Sequence, residues 1–238
     1  MIKFYRRIRQ RLISENKFSK YLIYALGEII LVVIGILIAL QINNWNEIRK
    51  VNSNQLKYLN LLKKEALTNV ASLDIHLGTV KELTEGQKEV FRIIDAPKDT
   101  LSEEYISKSF FKAFSTLIKF DYNNSVLTEI KNSGELKNIK NDSIWTALIE
   151  LEPLIENVRI QENALNILQE NMLEQINLNG DLRLIMDNVG YNTQLGIEAA
   201  HDISKGNKPV LNNKYFKNEL IQYLAVTLDL MNNLYPRT

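Results

Sequence analysis

Twenty consecutive positions, Tyr21 to Leu40, hold one charged residue, Glu28, in an otherwise apolar run broken only by small and aromatic side chains. At about 1.5 Å rise per residue a helix of that length spans roughly 30 Å, the thickness of a bilayer's hydrocarbon core, so the run predicts a transmembrane helix. It is too long for a signal-peptide core, and "IALQINNW" offers no small-x-small cleavage site, so the segment is expected to stay as an anchor. Past Trp45 the helical pattern continues. Leu59, Ala66, Leu73, Val80, Gln87 and Ile94 recur every seven residues, interleaved with Lys63, Val70, Leu77, Thr84 and Phe91, and eight of these eleven positions are apolar. No proline interrupts until Pro97, which predicts one long helix to about Asp95 with its distal half packed on the rest of the domain. The seam suits a coiled coil between protomers. Leu62, Leu67, Leu83 and Val90 widen it, however, and favour the face of an intramolecular bundle.

The remaining pattern is also helical. In "DAPKDTLSEEYISKSFFKAF" a turn precedes a new helix, with Thr100 and Glu103 at capping-box spacing. "KFDYNN" reads as a turn into the short helix "SVLTEIKNSGEL", whose Gly134 sits where a left-handed C-terminal cap is expected. Asp142 or Ser143 is the expected cap of a helix running through Trp145 to about Leu178, and Pro153 either kinks it or starts a second one. Residues 179–211 have weak periodicity and four glycines, which predicts loops and short helices. A final helix from about Asn213 to Leu234 carries an apolar stripe at Phe216, Leu220, Tyr223, Leu224 and Leu228. The expected fold is all-α: a single N-terminal transmembrane helix continuing into a long helix, with an extracytoplasmic helical bundle.

Composition agrees with that reading, since only four prolines and nine glycines occur in 238 residues. The absence of cysteine removes disulfides, thiolate metal sites and cysteine nucleophiles together. Charge adds an orientation. Residues 1–20 carry seven basic groups against Glu15, whereas from Gln41 onward 22 basic groups face 26 acidic ones. The positive-inside rule therefore places residues 1–20 in the cytoplasm as a basic amphipathic segment. Residues 21–42 then cross the inner membrane, and residues 43–238 lie in the periplasm. Ile2, Tyr5, Ile8 and Leu12 recur at helical spacing between arginines, as expected on an anionic leaflet. The body has no basic patch suited to nucleic acid.

Glu28 is the odd residue of the anchor. With Glu28 as origin, Tyr21 projects at about +20°, Tyr24 at −40°, Val32 at +40°, Gly35 at −20° and Ala39 at +20°, all on one stripe. A carboxyl, two phenols and a small-xxx-small pair form a composition that lets membrane helices approach and hydrogen-bond across the contact. Tyr21, Tyr24, Glu28, Gly35 and Ala39 are therefore the candidate helix-association residues. Two other readings stay open: Glu28 snorkels toward the cytoplasmic headgroups and Lys20, or it couples an assembly to ion movement.

The search for chemistry is negative. His76 lies beside the apolar seam and His201 in "GIEAAHDISKG", neither with a histidine or cysteine partner at ligand spacing. Glu198, His201 and Asp202 share a helical face, a surface cluster with a weak metal or hydrolase reading. No phosphate-binding glycine loop or nucleophile elbow is present. Within "NSGEL", Ser133 and Glu135 are candidate surface-binding residues. No catalytic residue, metal site or cofactor is expected.

The stretches "ENKFSKYLIYALGEIILVVIGILIALQINNWNE", "SVLTEIKNSGELKNIKND" and "NNKYFKNELIQYL" resemble a widespread family of Bacteroidota membrane proteins, the domain of unknown function six-zero-nine-zero. The resemblance implies a single-pass anchored protein with an outward helical domain and supplies no activity. Together these readings lead to a non-enzymatic inner-membrane protein whose periplasmic bundle serves as a protein-interaction or scaffold module. Its expected partners are the lipid bilayer, a second copy or another membrane protein through the anchor helix, and a periplasmic protein. The alternative is a subunit of an ion-coupled or mechanically gated membrane assembly that uses Glu28.

Overall fold

A computed structural model describes residues 18–96, 100–199 and 206–237, and all but the side chains of Phe18, Lys20 and Tyr21 within them. The amphipathic pattern at Ile2, Tyr5, Ile8 and Leu12 therefore lies outside the described residues, as do Pro97, His201 and Asp202. The regular elements of the described chain are all helices, with no strand among the described residues. It divides into two compact units, Met1–Leu59 and Asn60–Thr238.

Helix α1 runs from Phe18 to Asp95 without a break. Within the second unit its buried positions are set by a straight helix rather than by a heptad seam. Leu62 and Val80, Glu65 and Leu83, and Asn69 and Gln87 are pairs 18 residues apart on the side turned away from solvent. Eighteen residues are five turns at 3.6 per turn, whereas a strict seven-residue repeat drifts about 20° per heptad on a straight helix. The expected seam is consequently in register only from Leu73 onward. Ala66, Val70 and Lys63, and Leu67 beside them, face solvent, while Val80, Leu83, Val90 and Ile93 are buried.

Helix α2, Glu103–Phe114, supplies the centre of the core. Ser102, not Thr100, is its N-cap, and its hydroxyl accepts from Tyr105 N at 3.2 Å. Thr100 and Glu103 have the capping-box spacing, but the chain enters the helix two residues later than that spacing requires. Ile106, Phe110, Ala113 and Phe114 are buried along one face. Phe110 and Phe114 meet Phe216 with ring centroids 5.5 and 5.9 Å away, and Tyr223 closes the cluster 5.9 Å from Phe114. Tilted and edge-on arrangements at such distances add about 0.5–1.5 kcal/mol per pair beyond the area buried.

Helix α3, Ser125–Asn132, stops at Gly134, which is left-handed at φ 72° as its position predicted. Helix α4, Asp142–Asn179, is a single helix with Pro153 inside it, and its N-cap is Asn141, whose Oδ1 accepts from Ile144 N at 3.0 Å. Pro153 is tolerated because it faces solvent, where water can satisfy the carbonyl that its missing N–H leaves. Two short helices follow, α5 at Leu182–Asn188 and α6 at Tyr191–Gln194.

Helix α7, Lys214–Asp229, is capped by Asn213 and packs along α4. Phe216, Leu220 and Tyr223 are buried from the expected stripe, and Leu224 and Leu228 are half-buried. Its expected continuation to Leu234 holds only in a looser form. Leu230–Leu234 winds as a π-turn and Tyr235–Arg237 as a tight 3-10 turn, which swings Tyr235 inward to full burial.

Candidate functional site

The first unit carries the membrane-length segment. Its most apolar stretch has a mean hydropathy of 2.7, and none of that stretch is buried within the protein. By length and composition α1 can cross a membrane. Because the backbone is α-helical from Phe18 onward, Tyr24, Glu28, Gly35 and Ala39 fall on one stripe of it, while the Tyr21 side chain lies outside what is described. Tyr24, Ala25 and Glu28 are half-buried, and Glu28 lines a shallow groove with Ile29, Val32 and Val33. A Cβ added at Gly35 would meet nothing within 4 Å, so no packing among the described residues requires its small size.

Ser133 and Glu135 are each engaged within their own turn. The Ser133 hydroxyl donates to Ile130 O at 3.2 Å, and Glu135 accepts from Asn138 Nδ2 at 2.7 Å. The Glu198 backbone carbonyl accepts from Arg183 at 2.9 Å, and its proposed neighbours His201 and Asp202 lie outside the described residues. Among the described residues no group of three or more histidine, cysteine or acidic side chains is placed to hold a metal ion.

The second unit contains a polar arrangement that pattern reading does not anticipate. Between α2 and α3 the chain passes along α4 in irregular conformation, and side chains of α4 satisfy its backbone at regular intervals. Gln169 Nε2 donates to Phe114 O at 2.6 Å and Thr116 O at 3.2 Å. Asn166 accepts from Ile118 N at 3.2 Å and donates to Ile118 O at 3.0 Å. Glu162 accepts from Phe120 N at 2.9 Å. Buried backbone groups need partners, and here three side chains at helical spacing do what a ladder strand would otherwise do. Helix α1 takes over beyond Phe120. Asn69 exchanges two hydrogen bonds with the Asn123 backbone at 2.7 and 3.0 Å, and the Glu65 carboxylate accepts from Val126 N at 2.7 Å and Leu127 N at 3.4 Å.

Glu162 is the node of this arrangement. It is only 3% exposed, and its Oε1 also accepts the Tyr235 hydroxyl at 2.8 Å. His76 Nε2 stands 2.8 Å from that hydroxyl and 3.5 Å from the same carboxylate oxygen. The His76 ring meets Tyr235 edge-on, with centroids 5.0 Å apart. One oxygen thus joins α1, the loop, α4 and the C-terminal turn. Burial, reinforced by the Glu162 charge, pushes the Tyr235 phenol far above its ordinary range, and burial does the same to Tyr223.

Outside this node lies an open cleft of about 300 Å³, between Ile118–Tyr122 and the α4 residues Arg159, Glu162, Asn163 and Asn166. Glu162 forms its inner wall. Oε1 of Glu162 takes its hydrogen bonds from the described residues, and Oε2 accepts none from them. Lys119, Asp121 and Asn163 are exposed at the mouth. Desolvation, with the charges of Glu65 and Glu152, raises the half-buried Tyr122 phenol above its ordinary value. Sequence reading missed Glu162 and Gln169, although a signal was present. Ile155, Val158, Glu162, Leu165, Gln169, Met172 and Ile176 follow alternating spacings of three and four, which marks two polar residues as lying on a buried stripe.

These features define an all-α protein that pairs a membrane-length N-terminal helix with a helical domain built around a buried carboxylate node. The model of the Family of unknown function (DUF6090) matches residues 28–166, more than half of the chain, and the chain belongs to that family. The match takes in Glu28, Gly35, Glu65, His76 and Glu162, while Tyr235 and the "NNKYFKNELIQYL" stretch lie beyond it. No curated protein and no solved structure matches the chain.

Proposed function

We propose that this chain is a single-pass, non-enzymatic inner-membrane protein whose helical domain faces the periplasm and binds or organises other proteins. The stripe of Tyr21, Tyr24, Glu28, Gly35 and Ala39 pairs its anchor with another transmembrane helix, from a second copy or a different membrane protein. The observation that carries this reading is the wholly unburied apolar stretch of α1, a surface too large and continuous to rest in water. Gly35 supports the association claim, because the space it leaves open is used by nothing among the described residues. The surplus of six positive charges in residues 1–20 supports the orientation.

Three measurements test the reading. The protein should remain in the membrane fraction after alkaline carbonate washing, and release into the supernatant removes the anchor. A periplasm-active reporter fused after Thr238 should give signal, whereas a stable, silent fusion reverses the orientation. In a membrane two-hybrid assay the double substitution Gly35→Leu and Ala39→Leu should weaken association at least several-fold, and unchanged association removes the helix contact.

A further inference from the structure

We propose that the cleft beside Glu162 is a binding site for a small zwitterion, a molecule with a primary ammonium at one end and a carboxylate at the other, such as a short amino acid. The inference stands on the second unit alone and is independent of the membrane reading. Its starting point is the divided use of one carboxylate. Glu162 lines the cleft, and while its Oε1 is occupied by Phe120 N and the Tyr235 hydroxyl, its Oε2 has no donor from the described residues. A carboxylate that is 3% exposed and half-satisfied is costly to hold, and a donor arriving through the cleft relieves that cost. A primary ammonium, a compact cation with three donors, matches that oxygen.

The mouth selects the other end of the ligand. Lys119 forms no ion pair among the described residues, and the contact of Arg159 with Glu156 is 3.8 Å between two exposed side chains, too long for a hydrogen bond. Both cations are therefore available to an incoming anion. Asp121 shares the mouth, which leaves it with a net charge of one positive unit. A plain cation is repelled at the mouth and a plain anion at the inner wall. A ligand with the positive end inward and the carboxylate outward satisfies both, with the Arg159 fork suited to two parallel hydrogen bonds. The cleft volume of about 300 Å³ lies at the small end of ligand sites, which fits a molecule of amino-acid size.

The test is calorimetric titration of the full-length chain in detergent micelles with glycine, β-alanine and γ-aminobutyrate, beside propylamine and propionate as single-charge probes. At least one zwitterion should bind with a millimolar or tighter Kd, and both single-charge probes should bind about tenfold or more weakly. Glu162→Gln keeps an acceptor for Phe120 and Tyr235 but removes the charge, and it should lower the affinity about tenfold. Should that variant fail to fold, the exposed Arg159→Gln decides the matter, with affinity expected to fall several-fold and the melting midpoint of the free protein unchanged. Absence of binding by all three zwitterions overturns the proposal. So does propylamine binding as tightly as they do, affinity unaltered in Arg159→Gln, or a response to magnesium or calcium alone.

Discussion

Tyr235 and Glu162, 73 residues apart, share a hydrogen bond of 2.8 Å that fastens the C-terminal turn to the middle of α4. Tyr235 is fully buried, and it follows directly on the π-turn at Leu230–Leu234 that ends α7. Hydrogen bonds to a buried charge are among the stronger ones.

Tyr235→Phe removes that bond while keeping the ring that packs on His76. Hydrogen bonds to charged groups contribute about 1.5–3 kcal/mol, so a loss of about 2 kcal/mol is expected. In a unit of this size that lowers the melting midpoint by about 4–8 °C, measurable by circular dichroism of the full chain in micelles. A midpoint within a degree of the parent would show that the carboxylate finds a replacement donor.

Two buried phenols give the fold a specific alkaline limit. Tyr223 and Tyr235 both have folded pKa values raised above the ordinary 10.0, the first by burial and the second by burial and the Glu162 charge. A raised folded pKa stabilises at pH below the unfolded value, and that contribution is lost as pH climbs above it. Stability should thus be insensitive to these groups up to about pH 9.5. Above pH 10 it should fall with a slope of up to about 1.4 kcal/mol per pH unit for each phenol. Tyr223→Phe should flatten the slope by roughly half, and an unchanged slope would assign the loss to other groups.

Two glycines should fail for different reasons. At Gly86 a Cβ would lie 2.8 Å from Ala113 N and from the Lys112 carbonyl carbon, so α1 and α2 cross there at backbone distance. Gly86→Ala should cost about 1–3 kcal/mol through forced separation of the two helices. At Gly134 nothing lies within 4 Å of the added atom, but φ is +72°. Gly134→Ala should cost about 1–2 kcal/mol from the backbone alone, and Gly134→Asn less, because asparagine tolerates that conformation. Equal losses for the alanine and asparagine variants at Gly134 would contradict the conformational explanation.

The elements that sequence made legible are those decided locally, by one residue or by a short periodic pattern. Gly134, the span of α1 and the apolar stripe of α7 belong to this class. The heptad reading of α1 went astray at Lys63, Ala66 and Val70 because eight apolar matches in eleven positions fit a period of 3.5 and one of 3.6 almost equally well over few turns. Only the packed partner selects the phase. The Glu162 node was less accessible still. Its partners His76, Phe120 and Tyr235 are scattered over 159 residues, and the bonds that join them run from side chain to backbone as well as to side chain. No spacing rule connects such groups. A polar residue on an apolar stripe was the one available sign, and it announces burial without naming the partner.

Glu65 extends the same logic to α3 and gives the most local test. Asn124, at the N-cap position, makes no side-chain cap bond, so the Val126 and Leu127 amides at the start of α3 are satisfied from another helix, by Glu65 at 2.7 and 3.4 Å. The carboxylate also places negative charge at the positive end of the helix dipole, which strengthens the contact. Glu65→Ala should cost about 1–2 kcal/mol, the worth of a lost cap with two amides left unpaired. Global melting alone would not separate this cap from any other buried contact. Hydrogen exchange does, because the Val126 and Leu127 amides should lose protection in the variant by a larger factor than amides in the Phe110–Phe114 core. Uniform loss across the domain would mean that Glu65 acts on the fold as a whole and not on α3.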